Sequence, residues 1–295
     1  MSSGRRGVQR KRVTLASLAQ QKAAGEPIVM VTAYDFPSAR VADQVGVDMV
    51  LVGDSAANAV LGYDSTLPVT VDEMLMLTKA VRRGLTTALL VGDLPFGSYE
   101  ASDRDAVHTA QRFVKEGGAD AVKIERGGTT TARARAIVEA GIPVMGHIGL
   151  TPQAATSLGG YKVQGKTAAD AERLLGEALD LQAAGCFAIV VEAVPAAVTE
   201  LLADRLSCLT IGIGAGGATD GQVLVWHDLL GITGGHLAKF VRTFADVHAE
   251  IVRGLTDYST AVRNRDFPAG EHTYAINEDE LAALRARLPR AETPG

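Results

Sequence analysis

Four short apolar runs of the chain each lead into an acidic residue, and these acids are the first candidates for chemistry. The run MVLV at 49–52 is followed by one glycine and then Asp54. Three later runs end in the same way, on Asp93, Glu125 and Glu192. An acid at the carboxyl end of a buried parallel strand is costly unless it is paired, binds a metal or lies in a cleft. Asp54 alone could equally cap a following helix, but four such ends predict one shared rim.

Asp54 and Asp93 have the chemistry of a site for a hard divalent cation. Mg²⁺ prefers a few carboxylates and keeps water molecules in its remaining octahedral positions. Glu125, at the tip of the next strand, would be a third ligand or would hold a metal-bound water. The alternative is that each of these acids pairs with a nearby Lys or Arg.

Lys123 and His147 are the candidate cations of the same rim. Lys123 precedes Glu125 by two residues, so both side chains point to one side of a strand. A buried Lys is costly without an anion beside it. Lys123 could pair with Glu125, bind a substrate carboxylate or, less readily beside an acid and a metal, form a Schiff base. His147, near the tip of the fifth strand, is as a single histidine more commonly a hydrogen-bonded structural residue than a ligand or a base.

Glu192 is the candidate general base. Strand alternation places it on the side of Val190, and a carboxylate that apolar neighbours partly remove from water suits proton abstraction. The alternative is a salt bridge across a barrel. The glycines of GIGAG (212–216) lack the order of a dinucleotide-binding fingerprint, so we expect them only to let a cofactor or a neighbouring strand come close.

Eight apolar runs alternate with helical segments, which predicts a (β/α)8 barrel, although a doubly wound sheet shows the same alternation. The predicted strands are 28–33, 49–53, 88–93, 121–125, 144–149, 188–193, 210–216 and 229–233. The predicted helices are 37–45, 71–83, 103–116, 129–140, 168–184 and 195–202. We expect one barrel domain at 13–276, between a mobile basic tail at 1–12 and a polar tail at 277–295.

The composition excludes several classes of function. A formal charge of −5 and an aromatic content of 5% argue against a nucleic-acid surface. No apolar run approaches the roughly 18 residues of a membrane span, and the basic first residues lack the apolar core of a secretory signal. Cys186 and Cys208 have no metal-ligand spacing. A reduced, cytoplasmic protein is the resulting expectation.

The chain closely resembles the ketopantoate hydroxymethyltransferase family from about Thr32 to Tyr274. The resemblance rests on motifs in a fixed order: TAYD (32–35), LVGDS (51–55), GYDSTLPVT (62–70), DLPFGSYE (93–100), GHIGLTPQ (146–153), GGYKVQG (159–165), GIGAG (212–216), DGQVLVW (220–226) and FPAGEH (267–272). The residues of DSAAN and DLPFGSYE are similar to those in the actinobacterial branch of the family. So many ordered matches are far more specific than any single motif.

The resemblance implies a TIM barrel of the phosphoenolpyruvate/pyruvate class, assembled as a homodecamer, with one Mg²⁺ per subunit. It implies transfer of a hydroxymethyl group from 5,10-methylenetetrahydrofolate to 3-methyl-2-oxobutanoate in pantothenate biosynthesis. By position, Asp54 and Asp93 match the metal-binding acids of the family, and Glu125 matches the acid that acts through water. Ser55, Lys123, Asp93 and the backbone of Asp54 are the implied contacts to the keto acid. Glu192 matches the proposed base, and His147 a pocket residue.

Three departures from the family pattern occur, and none removes a proposed catalytic residue. Arg126 interrupts the usual K-(L/I)-E-G-G, Gly92 replaces a common Ala before the second metal acid, and Gly217-Ala218-Thr219 follows GIGAG. A rival hypothesis is a Mg²⁺-dependent lyase or mutase of the isocitrate lyase and phosphonopyruvate type, but neither cysteine has the K-K-C-G-H context of those enzymes. A catalytically silent barrel scaffold would be expected to have lost some of these acids.

Overall fold

The barrel predicted from the sequence is present and closed. The computed structural model describes residues 10–234 and 237–288, and its eight parallel strands pair in chain order, with the eighth against the first. The doubly wound alternative is therefore wrong. The strands are β1 Ile28–Thr32, β2 Met49–Val52, β3 Leu89–Asp93, β4 Ala121–Lys123, β5 Val144–Gly149, β6 Ala188–Glu192, β7 Leu209–Ile213 and β8 Gly221–Leu224.

Most helices lie where apolar periodicity predicted them. The α-helices are α1 Leu15–Ala24, α2 Phe36–Val45, α3 Ala56–Ala59, α4 Val71–Gly84, α5 Asp103–Lys115, α6 Thr130–Glu139, α7 Ala168–Ala183, α8 Ala196–Ala203, α9 Trp226–Leu229, α10 Val247–Asn264 and α11 Glu278–Arg287. Among the described residues, no helix combines the length and the apolar character that a membrane crossing needs.

Alternate residues of each strand fill the inside of the barrel. This two-residue period determines which side chains form the polar rim. The interior is an apolar cluster formed by Leu18, Ile28, Met30, Met49, Leu51, Leu89, Val91, Ala121, Met145, Ala188, Val190, Leu209, Ile211, Ile213 and Val223. Asp93, Lys123, His147 and Glu192 each stand two residues after a member of that cluster. Their side chains therefore form the next layer, at the carboxyl ends of the strands.

The eighth predicted strand is wrong. Residues 229–233 end the short helix α9 and form a turn, whereas β8 is Gly221–Leu224. The chain from β7 to β8 has only the residues 214–220 and contains no helix. The outer face of β8 is therefore less well covered, and Gln222 is exposed there. A strand with an exposed polar residue lacks the continuous apolar run that marks strands buried on both faces.

The amino ends of the strands are closed by the start of the chain. Leu18 of α1 is fully buried in the interior cluster. Arg10 Nη2 lies 2.6 Å from Asp48 Oδ1, and Arg12 Nη2 lies 2.5 Å from Asp120 Oδ1. These two arginines were assigned to the mobile tail, but they form ion pairs with acids just before β2 and β4. Residues 1–9 of that tail lie outside the described residues.

The chain divides into two compact units, Met1–Ala245 and Asp246–Gly295. The second contains α10 and α11, and none of the residues in these two helices is buried. Tyr258, Phe267 and His272 make ring contacts within it, with centroids 5.8 and 5.0 Å apart. Helix α11 lies in the segment predicted to be a polar tail, of which 289–295 is outside the described residues. The domain limits at 13 and 276 stay a prediction.

Candidate active site

A cavity of about 180 Å³ opens at the carboxyl ends of the strands, where the sequence predicted the rim. Its lining includes every predicted site residue: Asp54, Ser55, Asp93, Lys123, Glu125, His147 and Glu192. All except Ser55 and Glu192 are buried. Isolated buried charges are unstable, so the contacts among these groups determine what the cavity can do.

Asp54 does not cap the short helix that follows it. No side chain caps that helix, and Asp54 Oδ2 instead accepts a hydrogen bond of 2.9 Å from Gln153 Nε2. The Asp54 backbone N–H donates to Asp93 Oδ2 at 3.0 Å, so the turn after β2 is tied to the end of β3. Burial, followed by the charges of Asp93 and Glu125, raises the pKa of Asp54 well above its usual value.

Lys123 is the central cation of the site. Asp93 and Lys123 are register partners on β3 and β4, so their side chains lie next to each other. Lys123 Nζ is 3.0 Å from Asp93 Oδ1 and 3.2 Å from Glu125 Oε1. Burial alone would lower the pKa of Lys123, but the charges of Asp93 and Glu125 outweigh burial and raise it. Lys123 is therefore a stable ammonium group, which argues against a Schiff base.

His147 bridges two glutamates. Its Nδ1 lies 3.2 Å from Glu125 Oε1, and its Nε2 lies 3.2 Å from Glu192 Oε2, although the second contact lacks the alignment of a hydrogen bond. Burial and Lys123 act to lower the pKa of His147, but Glu125 and Glu192 raise it to about 9. An imidazolium between two carboxylates is consistent with this geometry.

Glu125 has both carboxylate oxygens engaged. Oε1 contacts Lys123 Nζ and His147 Nδ1, and Oε2 accepts a hydrogen bond of 3.0 Å from the backbone N–H of Gln153. Burial would raise the pKa of Glu125, but Lys123 and His147 lower it to about 2. Three contacts leave Glu125 about one free acceptor site, which suits a hydrogen bond from a metal-bound water better than direct, bidentate metal binding.

Gln153 and Tyr99 are parts of the site that sequence reasoning did not single out. Gln153 Nε2 also donates to Leu94 O at 3.0 Å, and Gln153 Oε1 accepts from the Tyr99 hydroxyl at 2.6 Å. The same hydroxyl accepts the backbone N–H of Glu125 at 3.2 Å. These two residues hold Asp54 and Glu125 in place. Their signal in the sequence was their place in two family motifs, Gln153 in GHIGLTPQ and Tyr99 in DLPFGSYE.

The acids fit a divalent cation that the protein holds by two carboxylates. In the part of the chain that the structure describes, the four predicted acids face one lysine and one histidine, which leaves an excess of negative charge at the rim. Asp54 has no ion-pair partner among the described residues, and Asp93 shares the Lys123 ammonium with Glu125. Within the same residues, no three His, Cys, Asp or Glu side chains are placed to hold a metal together. Two carboxylates with water or substrate completing the shell suit Mg²⁺.

Two departures from the family pattern have visible structural consequences. Arg126 has a φ of 77°, a left-handed conformation in which glycine is favoured over other residues. A Cβ added at Gly92 would lie 2.5 Å from Phe113 Cδ1 of α5. The replacement of Ala by Gly before Asp93 is therefore matched to a phenylalanine packed against the back of β3.

The cysteines do not take part in the site. Cys186 is buried, Cys208 is partly exposed, both are free, and neither lines the cavity. Burial raises the pKa of the Cys186 thiol to about 12. Neither thiol is therefore placed or activated as the cysteine of a lyase or mutase would be.

Solved structures similar to this chain confirm the barrel class. Phosphoenolpyruvate phosphomutase from Streptomyces platensis subsp. rosaceus superposes with a TM-score of 0.58 at 16% identity, covering 91% of this chain and 95% of its own. A 2,3-dimethylmalate lyase of the PEP mutase/isocitrate lyase superfamily has a TM-score of 0.56 at 14% identity, covering 92% of this chain and 98% of its own. At such low identity the likeness concerns the fold alone.

Sequence relatives are far closer. A 3-methyl-2-oxobutanoate hydroxymethyltransferase of Moorella thermoacetica is 53% identical over 266 residues, which cover 90% of this chain and 99% of that protein. One of the same name from Geobacillus kaustophilus is 51% identical over 263 residues, covering 89% and 94%. The model of the family described as ketopantoate hydroxymethyltransferase matches residues 12–270. The resemblance in the motifs thus extends over the whole barrel, and the chain belongs to the ketopantoate hydroxymethyltransferase family.

Proposed function

We propose that the cavity transfers a hydroxymethyl group to 3-methyl-2-oxobutanoate with Asp54 and Asp93 holding one Mg²⁺ per subunit. The observation that carries this proposal is the pair of adjacent buried carboxylates: Asp54 has no ion-pair partner among the described residues, and Asp93 shares the Lys123 ammonium with Glu125. Glu125 would position a metal-bound water. When bound, Mg²⁺ would supply a Lewis acid that makes the C3 proton of the keto acid removable.

Lys123 and Ser55 bind the carboxylate of the keto acid in this proposal. The Lys123 ammonium is fixed between Asp93 and Glu125, so its charge is present before substrate arrives and needs no reorganisation. Ser55 Oγ lies 2.9 Å from the Tyr34 hydroxyl, and this contact would orient the serine. The Asp54 N–H, also matched by the resemblance, already donates to Asp93 and would have to leave it to reach substrate.

Glu192 removes the C3 proton and His147 stabilises Glu192. A carboxylate oxygen of Glu192 takes the proton, which leaves an enolate of the keto acid. The His147 imidazolium, whose Nε2 lies 3.2 Å from Glu192 Oε2, would hold that carboxylate at the cavity. The enolate carbon forms a bond to the one-carbon unit of 5,10-methylenetetrahydrofolate, the carbon–nitrogen bonds to the folate break, and water supplies the hydroxyl oxygen. The products are 2-dehydropantoate and tetrahydrofolate.

The two halves of this reaction can be observed separately by NMR in D₂O. We expect purified protein with Mg²⁺ to exchange the C3 proton of 3-methyl-2-oxobutanoate without folate, and to form ketopantoate when methylenetetrahydrofolate is added. Exchange without product would support the enolising site but contradict methylenetetrahydrofolate as the one-carbon donor. Absence of exchange in folded, Mg²⁺-loaded protein would reject the proposed substrate.

The assembly and location follow from the same family proposal. We propose a homodecamer in the cytoplasm, with the 2-oxo acid and the folate as its small-molecule partners. Static light scattering of the purified protein measures the mass directly. A monomer at working concentration would contradict the decamer without affecting the assignment of the site.

A further inference from the structure

One part of the cavity wall has no role in the steps above. The four acids used above, Lys123 and His147 come from β2 to β6 and the segments that follow these strands, whereas the opposite part of the wall comes from β7, β8, β1 and the segment after β8. In the closed strand order β8 is four strands from β4, so this wall faces Lys123 across the barrel. It is mostly apolar, and its members include Ile213, Val223, Leu224, Val225, Asp228 and Phe240.

Asp228 is an unused carboxylate in this apolar wall. It lies on the short helix α9, whose first N–H, that of Trp226, donates to Thr32 Oγ1 at 2.8 Å. The side chain of Asp228 is half-buried and has no hydrogen bond or ion pair to any residue in the described ranges 10–234 and 237–288. Burial raises its pKa. A half-buried carboxylate that faces the cavity without a protein donor is open to water there, and a ligand that supplies two donors can replace that water.

Phe240 provides an aromatic surface in the same wall. Its ring is partly buried against the interior cluster and lines the cavity. A Cβ added at Gly214 would lie 2.5 Å from Phe240 Cδ1, so the glycine of the β7–β8 connection lets the ring lie against the backbone. The ring therefore packs closely against the β7–β8 connection while it lines the cavity.

We propose that Asp228 and Phe240 form the subsite for the heterocycle of the one-carbon donor. The ring of a reduced folate carries an amide N–H beside an exocyclic amino group, and these two donors match the two oxygens of one carboxylate. The apolar wall and Phe240 would contact its faces. The keto acid does not fit this subsite, because the negative charge of Asp228 would repel its carboxylate. This inference rests on the proposed function, in which a reduced folate enters this cavity.

The test compares donor binding in wild-type protein and Asp228→Asn, with Mg²⁺ present. Calorimetry measures the Kd of tetrahydrofolate and of its 2-desamino-2-methyl analogue, which lacks the exocyclic amino group. We expect wild-type protein to prefer tetrahydrofolate about 10- to 100-fold, and Asp228→Asn to bind the two ligands within about 3-fold of each other. We expect Phe240→Leu to weaken both ligands about equally. Asp204→Asn, an exposed aspartate after α8, is the matched control.

The C3 exchange reaction separates this inference from the function on which it rests. If wild-type protein does not exchange the C3 proton, the proposed function fails. If wild-type protein exchanges and transfers, but Asp228→Asn discriminates between the two ligands as wild type does, the subsite alone is wrong. A variant that loses exchange and ligand binding together would also overturn it, because Asp228 would then support the whole site. Loss of discrimination with the keto-acid KM for exchange retained supports the proposal.

Discussion

Glu192 differs from the other acids of the site in its exposure. Its side chain is 15% exposed, whereas those of Asp93 and Glu125 are 1% exposed. Among the described residues its one ionic contact is His147, so the surrounding structure depends little on its charge. A residue that contributes little to stability yet faces the cavity is placed to change its protonation state during turnover.

Glu192→Gln therefore separates catalysis from folding. We expect the rate of C3 proton exchange to fall about 10²- to 10⁴-fold, because the amide cannot accept the proton, while the midpoint of urea unfolding stays near that of wild type. Exchange is followed by NMR and unfolding by circular dichroism. Glu200→Gln, at an exposed position of α8, is the control. Exchange near the wild-type rate would remove Glu192 as the base.

Gln153 links three parts of the site through one amide group. Gln153→Leu keeps the volume but leaves Asp54 Oδ2 and the Leu94 carbonyl without their donor. We expect a loss of about 2–4 kcal/mol in the free energy of unfolding and an increase of about 10- to 100-fold in the Mg²⁺ concentration needed for activity. Urea unfolding and a Mg²⁺ titration of turnover measure the two effects. Unchanged values for both would show that the amide does not position Asp54.

The contrast between Glu192 and Gln153 shows what the sequence can predict at this scale. Glu192 ends a regular strand, so the period of two fixes its side relative to Val190, and this prediction is confirmed by the interior position of Val190. Gln153 lies in a single 3-10 turn, Pro152–Ala154, within the long connection after β5. Its direction depends on tertiary contacts with Tyr99 and Asp54, which no local pattern encodes.

At the scale of elements, the carboxylate of Asp43 joins the end of α2 to the chain entering β3. It accepts hydrogen bonds from Thr86, Thr87 and Ala88, with distances of 2.9 Å from the Thr87 and Ala88 amides. Burial opposes ionisation, but these hydrogen bonds lower the pKa of Asp43 below its usual value. The ionised carboxylate thus closes the loop between a helix and a central strand.

Asp43→Asn should destabilise the protein in a pH-dependent way. The folded pKa is lowered, so the stabilisation is complete above the unfolded value of about 3.9 and is lost as pH falls through the folded value. We expect the variant to lose about 1–3 kcal/mol at pH 7, with the difference from wild type narrowing below about pH 4. Urea unfolding at several pH values measures this. A difference that widens on acidification would contradict the assignment.

The error in the predicted position of the eighth strand has a physical explanation. The run LLGIT at 229–233 is more apolar than GQVL at 221–224, and buried parallel strands are normally continuous apolar runs. The barrel breaks this rule at β8, because the chain from β7 reaches it without a covering helix and Gln222 can remain exposed. The first seven strands, which have continuous apolar runs, were placed correctly to within three residues at either end.

At the scale of the whole molecule, the negative charge of the rim opposes folding in the absence of a cation. Asp54 is buried near Asp93 and Glu125, and its raised pKa reflects burial first and their repulsion second. An acid whose folded pKa is raised reduces stability once pH exceeds its unfolded pKa. A site built to attract a cation is therefore expected to weaken the metal-free protein, in the manner of other trade-offs between stability and activity.

This predicts that wild type is the more stable protein with Mg²⁺, whereas without Mg²⁺ the Asp54→Asn variant is at least as stable as wild type. In EDTA we expect the variant to unfold at a temperature equal to or above that of wild type, because a buried charge without a cationic partner has been removed. With Mg²⁺ at about 100 times its Kd, wild type should gain about 2.7 kcal/mol, whereas the variant should gain little. Scanning calorimetry under both conditions measures the order. Asp64→Asn, an exposed residue of the connection after β2, should follow wild type. If Asp54→Asn gained as much from Mg²⁺ as wild type, Asp54 would not hold the metal.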